Sequence, residues 1–207
     1  MDLDSKTREY VRLLRDWHGV VGRGEDPQAL VADSLALLPH LGGTRTLIDV
    51  GTGGGMPGIP LKLAAPELAV TLLEADHRKA AFLAHAAARL GIDVEIVSER
   101  AEVAAHGPLR ECFDAATSRA LAALPVAAEL CLPFVRVGGR WLAMAADVDV
   151  EAARAALEEL GGATPHVVPA ASAVRERGVV VVVEKARPTP DRYPRRPGVP
   201  GKHPLGI

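Results

Sequence analysis

Apolar residues recur at helical spacing through the first forty positions; from Arg45 onward they gather into short runs between helix-spaced segments. A helix is predicted over 5–21, with Ser5 as N-cap and Tyr10, Leu13, Leu14 and Trp17 along one face. Gly19, Gly22 and Gly24 break that pattern. A second helix is predicted from Pro27 to about Leu38, capped by Asp26, with Leu30, Val31, Leu35 and Leu38 inward. Strands are predicted at 45–50, 69–74, 93–97, 113–118, 139–145 and 178–185, and helices near 57–65, 77–90, 99–105, 121–132 and 148–160. Strict alternation implies right-handed crossovers and a mostly parallel, doubly wound α/β sheet covered on both faces. The last part breaks the rule. Thr164–Ala171 and the five valines 179–183, joined by a turn at Arg175–Gly178, predict an antiparallel pair at the sheet edge.

The expected organisation is a single domain: a helical extension (1–44), a core (45–185) and a tail (186–207). Prolines at 188, 190, 194, 197, 200 and 204 bar regular helix and inner strand from the tail. From Glu184 to Ile207 six Lys or Arg stand against two acids, although the whole chain carries a net charge of -2. Arg192, Arg195, Arg196 and Lys202 are therefore candidate phosphate contacts, and Tyr193 a candidate stacking plane, for RNA. A disordered, solvated tail is the plainer alternative.

Composition removes other classes. At 207 residues the chain can bury about 70% of its extended surface without a metal or disulfide staple. Cys112 and Cys131 are solitary, and two buried thiols in a reducing compartment are expected. The seven histidines lack metal-ligand spacing; His77 and His85, eight apart on one helix, read as surface or core residues. No run approaches the ~20 apolar residues of a membrane span, and Met1-Asp2-Leu3-Asp4 is unlike a signal peptide. A cytoplasmic monomer without metal is expected.

The candidate chemistry lies in Leu47–Pro60, where an apolar strand ends in an acid and runs directly into glycines and a helix start. Gly53-Gly54-Gly55-Met56-Pro57-Gly58 satisfies the dinucleotide pattern G-x-G-x-x-G, but Asp49-x-Gly51-x-Gly53-x-Gly55 offers another frame. A carboxylate at the strand end suits a cationic amino-acid moiety better than a pyrophosphate. Pro57 and Pro60 also remove N–H groups that would cradle phosphate. Glu74, ending the second strand, is placed for ribose hydroxyls in either case. S-adenosyl-L-methionine is the expected cofactor.

Asp49-Val-Gly-Thr-Gly-Gly-Gly-Met-Pro-Gly-Ile-Pro-Leu resembles the glycine motif of the bacterial small-subunit (16S) ribosomal RNA guanine-N7 methyltransferases, the glucose-inhibited division protein B family. The likeness continues through Val70–Leu83, Arg100-Ala101-Glu102, Thr117-Ser118-Arg119-Ala120 and the tail from Arg187 to Leu205. It implies a class I, Rossmann-like methyltransferase fold and a cofactor pocket lined by Gly51, Met56, Ala101, Glu102 and Arg119, with Glu74 at the ribose. Gly51 would admit the methionine part, Met56 would give apolar contact, and Ala101 and Glu102 would lie at the adenine edge. The chain departs from the family pattern at Val20–Gly24, at Leu30–Ala32 before Asp33-Ser34, and at the apolar Trp141–Ala146, all on the expected substrate side.

Guanine N7 already has a lone pair, so in-line displacement needs orientation more than a general base, and no catalytic residue is expected beyond Arg119 as a positioning group. Trp17, Tyr193 and Arg119 are the candidate planes against the target base. Three other readings stay open: methylation of a small molecule, a catalytically silent RNA-binding relative, and a nicotinamide-dependent dehydrogenase.

Overall fold

The computed structural model describes residues 3–146 and 148–206. Met1 and Asp2 of the acidic amino-terminal stretch, Asp147 and the last tail residue, Ile207, lie outside the described residues.

Helix α1 (Leu3–Asp16) starts two residues before the expected Ser5 cap and ends short of Trp17. Helix α2 (Pro27–Ser34) is capped by Asp26, whose side chain accepts the Gln28 N–H, and then tightens into a 3-10 turn over 35–40 around Pro39. Proline cannot supply the N–H that an α-helix would need there. The tighter turn rotates Leu35 outward, so that expected core residue is exposed instead.

β1 (Thr46–Val50), β2 (Ala69–Leu73), β3 (Glu95–Val97), β4 (Phe113–Arg119), β5 (Val135–Ala145), β6 (His166–Pro169) and β7 (Val179–Glu184) form one sheet in the order β3-β2-β1-β4-β5-β7-β6. The first five are parallel, while β7 runs antiparallel to both β5 and β6. The predicted edge hairpin is therefore present, with the valine strand inserted beside β5 and β6 outermost. Between the strands lie α3 (Gly58–Ala64), α4 (His77–Leu90), α5 (Ala101–Ala104), α6 (Leu124–Cys131) and α7 (Arg154–Glu159). The architecture is the expected α/β, doubly wound sheet with an antiparallel edge.

Period-2 alternation divides the core between the two faces. Leu47, Val70, Leu72, Leu142, Met144 and Val180 join α1–α4 in one cluster. Ile48, Val50, Leu73, Trp141, Ala143, Val181 and Val183 join the α5–α7 side in the other. At the junction of β2, β1 and β4 the strand order reverses, and the crevice at the carboxyl ends there is where open α/β sheets take ligands.

Two expectations are corrected on this frame. Cys131 is buried, and burial pushes its thiol up, but Cys112 is exposed at the loop before β4. The tail is docked against the second face and holds a short helix, α8 (Val199–Lys202), started by Pro200 near its first turn. Among the described residues no helix is long and apolar enough to cross a membrane.

Candidate active site

The glycine turn leaves β1 with Gly51, Gly53 and Gly55 all in the left-handed region, at φ of 67°, 60° and 94°. Only glycine takes such angles without strain. Its underside is packed. A Cβ on Gly58 would lie 2.4 Å from Leu72 Cδ2, and one on Gly55 would lie 2.5 Å from Ile59 Cδ1. A Cβ on Gly53 would meet nothing within 4 Å. The turn thus has one open face, at Gly53.

Buried side chains fix this shape. Asp49 Oδ2 accepts from the Gly58 N–H at 2.9 Å and from the Thr52 hydroxyl at 2.5 Å, and Oδ1 accepts from the Thr117 hydroxyl at 2.9 Å. Thr117 is its register partner across β1 and β4. Burial raises the Asp49 carboxyl to about 6, against the pull of these three donors and of Arg119. Asp49 is thus buried beneath the turn, with both of its oxygens engaged by donors of the protein. Glu74 braces the other side: Oε2 accepts the Gly53 N–H and Oε1 the Asp76 N–H, both at 2.8 Å.

Tyr10, foreseen only as a core aromatic, is fully buried and donates its hydroxyl to the Gly54 carbonyl at 2.5 Å. Burial, with Asp49 nearby, holds its phenol well above the ordinary range. A core tyrosine must place its hydroxyl on some acceptor, and that requirement was the available signal. Met56 belongs to the core cluster beneath the turn and is 5% exposed, so its expected ligand contact is limited to a sliver of surface.

Arg119 ends β4 beside this turn, followed by Ala120 at φ 50°. Its nearest acid, Asp33, lies 4.0 Å away and is already gripped by the Arg175 Nε at 2.9 and 3.1 Å. Arg175 also donates to the Ala145, Val179 and Ala170 carbonyls, tying the β6–β7 connection to α2. Neither Asp33 nor Arg175 is singled out by the sequence, where a separation of 142 positions hides the pair. Ala101 and Glu102 open α5 after β3, with Glu102 buried.

The tail candidates divide. Tyr193 is buried, with its hydroxyl on Glu159, so it offers no stacking plane; this corrects the expectation. Arg195 is likewise corrected as a free phosphate contact. Its Nε and Nη2 grip the fully buried Glu129 carboxylate at 2.9 and 2.6 Å, because an acid taken out of water needs a cation there. Lys185, counted among the tail's free charges, is buried on Glu111, Thr189 and the Leu132 and Val135 carbonyls. Burial lowers it to about 8 against the pull of Glu111. Arg192 pairs with Glu159 at the surface, while Arg196 and Lys202 are exposed. Trp17 is half-buried beside Phe82 and His85.

Among the described residues no group of three or more His, Cys, Asp or Glu gathers as a metal would require. The geometry is that of an open glycine turn with a buried acid below, an acid at its flank and an arginine at the next strand end. Solved methyltransferases share the fold. The geranyl diphosphate C-methyltransferase of Streptomyces coelicolor superposes with a TM-score of 0.60 at 14% identity, covering 89% of this chain and 97% of that one. The SAM-dependent O-methyltransferase of Thermotoga maritima gives 0.56 at 17% identity, over 77% and 67%.

Sequence relatives are nearer. Proteins described as ribosomal RNA small subunit methyltransferase G match from Rubrobacter xylanophilus, 42% identical over 97% of this chain and 83% of that one, and from Moorella thermoacetica, 40% identical over 95% and 88%. The counterpart in Roseiflexus castenholzii is 45% identical over 84% and 76%. The family described as GidB, rRNA small subunit methyltransferase G, matches residues 5–176, and with the glycine turn, Glu74 and Arg119 all inside that span, the chain belongs to this family.

Proposed function

We propose that this protein methylates N7 of a guanine in small-subunit ribosomal RNA from S-adenosyl-L-methionine, working as a monomer in the cytoplasm. The observation that carries this reading is the single open face at Gly53, braced by Glu74 and bordered by Arg119, in a chain about 40% identical to proteins described by that reaction class.

The residues present fit such a cofactor. The left-handed glycines allow a ligand against the backbone, Glu74 supplies carboxylate oxygens for hydroxyls, and the buried Asp49 sets a negative field under a cationic ligand. Gly51, half-buried beside Gly53, would border the methionine part, and Ala101 and Glu102 the adenine. When bound, S-adenosyl-L-methionine supplies an electrophilic methyl group and departs as a neutral thioether. The protein's task is orientation: the N7 lone pair must lie in line with the methyl, and no proton has to be removed for the new bond to form. Arg119, with its acid mostly claimed by Arg175, is available to hold the guanine or an adjacent phosphate. Arg196 and Lys202 supply exposed cations for the backbone, and Arg192, in a surface pair with Glu159, can exchange that partner for phosphate.

The test is methyl transfer to small-subunit RNA from a strain lacking this protein. Adding protein and labelled cofactor should place label in 7-methylguanine of that RNA. Label absent from RNA, or found at another atom, would sink the reading.

A further inference from the structure

The segment after β3 serves two neighbours. Its first residues, Ala101 and Glu102, stand where the proposed function places the adenine, and the following residues hold the tail. Glu102 Oε1 accepts the Gly198 N–H at 3.0 Å. His106 Nε2 lies 2.7 Å from the Pro194 carbonyl, which can only accept, so the ring nitrogen donates. Arg110 links the Ala105 carbonyl, at 3.1 Å, to the carbonyls of Thr189 at 2.7 Å, Pro190 at 3.2 Å and Tyr193 at 2.8 Å. Glu111 Oε1 accepts the Thr189 N–H at 2.7 Å. Most partners on the tail are backbone groups, with the Asp191 carboxylate at 3.9 Å from Arg110 and the Lys185 ammonium on Glu111 as the side-chain exceptions, so this dock largely reads the path of the chain.

Glu102 meets the tail through Oε1; among the described residues Oε2 has no hydrogen bond. Glu102 as a residue is 8% exposed, and the Gly198 N–H fixes the orientation of its carboxylate. Gly198 sits at φ 81°, so the direction of that N–H depends on glycine. We propose that tail docking and cofactor binding are coupled through Glu102, each strengthening the other, with Gly198 and Arg110 as positioning residues that touch no ligand. The proposal rests on the S-adenosyl-L-methionine reading of the pocket. Coupling of this kind is reciprocal by thermodynamic necessity.

Two measurements test it, both with S-adenosyl-L-homocysteine as the probe. By calorimetry, Gly198→Ala should weaken binding by about five-fold or more. A Cβ there meets nothing within 4 Å, so the change acts through the backbone angle. In the unmodified protein, saturation with the probe should slow trypsin cleavage between Arg195 and Arg196 by a comparable factor, because that bond is reached only after the tail leaves Glu129. Unchanged or faster cleavage, or undiminished affinity in Gly198→Ala, overturns the coupling and leaves the cofactor reading in place. Failure of the unmodified protein to bind the probe overturns both.

Discussion

The Tyr10 hydroxyl donates to the Gly54 carbonyl at 2.5 Å, so a helix lying outside the minimal doubly wound sheet holds the glycine turn from below. Both groups are buried, and neither has water as a substitute partner. Tyr10→Phe should therefore cost about 1–3 kcal/mol of stability, the price of an orphaned buried carbonyl. Urea unfolding measures this directly. Cofactor affinity should fall as well, since the turn loses a fixed point.

Gly53 and Gly55 share a left-handed backbone but differ in what surrounds them. Alanine at Gly55 would press its Cβ against Ile59 Cδ1 and to 3.0 Å from the Tyr10 hydroxyl. Gly55→Ala should destabilise the fold by more than about 2 kcal/mol, from the backbone angle and overpacking together. Alanine at Gly53 meets open space and should cost about 1–2 kcal/mol for the angle alone. Thermal unfolding should then find Gly53→Ala folded, and calorimetry should find its cofactor binding largely lost. Equal stability in the two variants would contradict the assignment of the open face.

Asp49 gives the site a pH dependence with a definite sign. Its carboxyl is raised to about 6 in the folded protein, so the fold takes up a proton that the unfolded chain has already lost. Its contribution to stability is present below the ordinary carboxylate range and is lost as pH rises through about 6. Binding of a cation runs the other way, because only the ionised form attracts it. Affinity for S-adenosyl-L-methionine should climb as pH passes about 6 and then level off. Asp49→Asn should flatten that profile; a profile unchanged by the substitution would remove Asp49 from the electrostatics of the site.

Adjacent arginines of the tail should behave differently. Arg195→Ala leaves the fully buried Glu129 carboxylate without its cation and should cost about 3–5 kcal/mol, with the tail released. Arg196→Ala removes an exposed charge and should leave stability within about 0.5 kcal/mol. In RNA binding against salt, Arg196→Ala should lower the slope by about one. Loss of stability from Arg196→Ala, with none from Arg195→Ala, would reverse the roles assigned here.

The alternation of apolar runs was enough to predict the strand order class, the edge hairpin at 166–184 and the glycine turn, because those depend on local period and on backbone angles that few residues accept. Asp49 and Glu74 stand out in the sequence as acids at the ends of strands of a parallel sheet, where such ends converge, whereas Ala101, Glu102 and Arg119 are candidates that the family resemblance implies. What the carboxylates and cations touch was not legible. Whether Arg195 meets solvent or Glu129, Lys185 a phosphate or Glu111, or Arg175 the Asp33 of a distant helix is settled by contacts 66, 74 and 142 positions apart. A charge has no periodicity to betray its partner. Only the packed chain, which removes water from one lysine and leaves it around another, decides which charges must be paired inside and which remain free to bind.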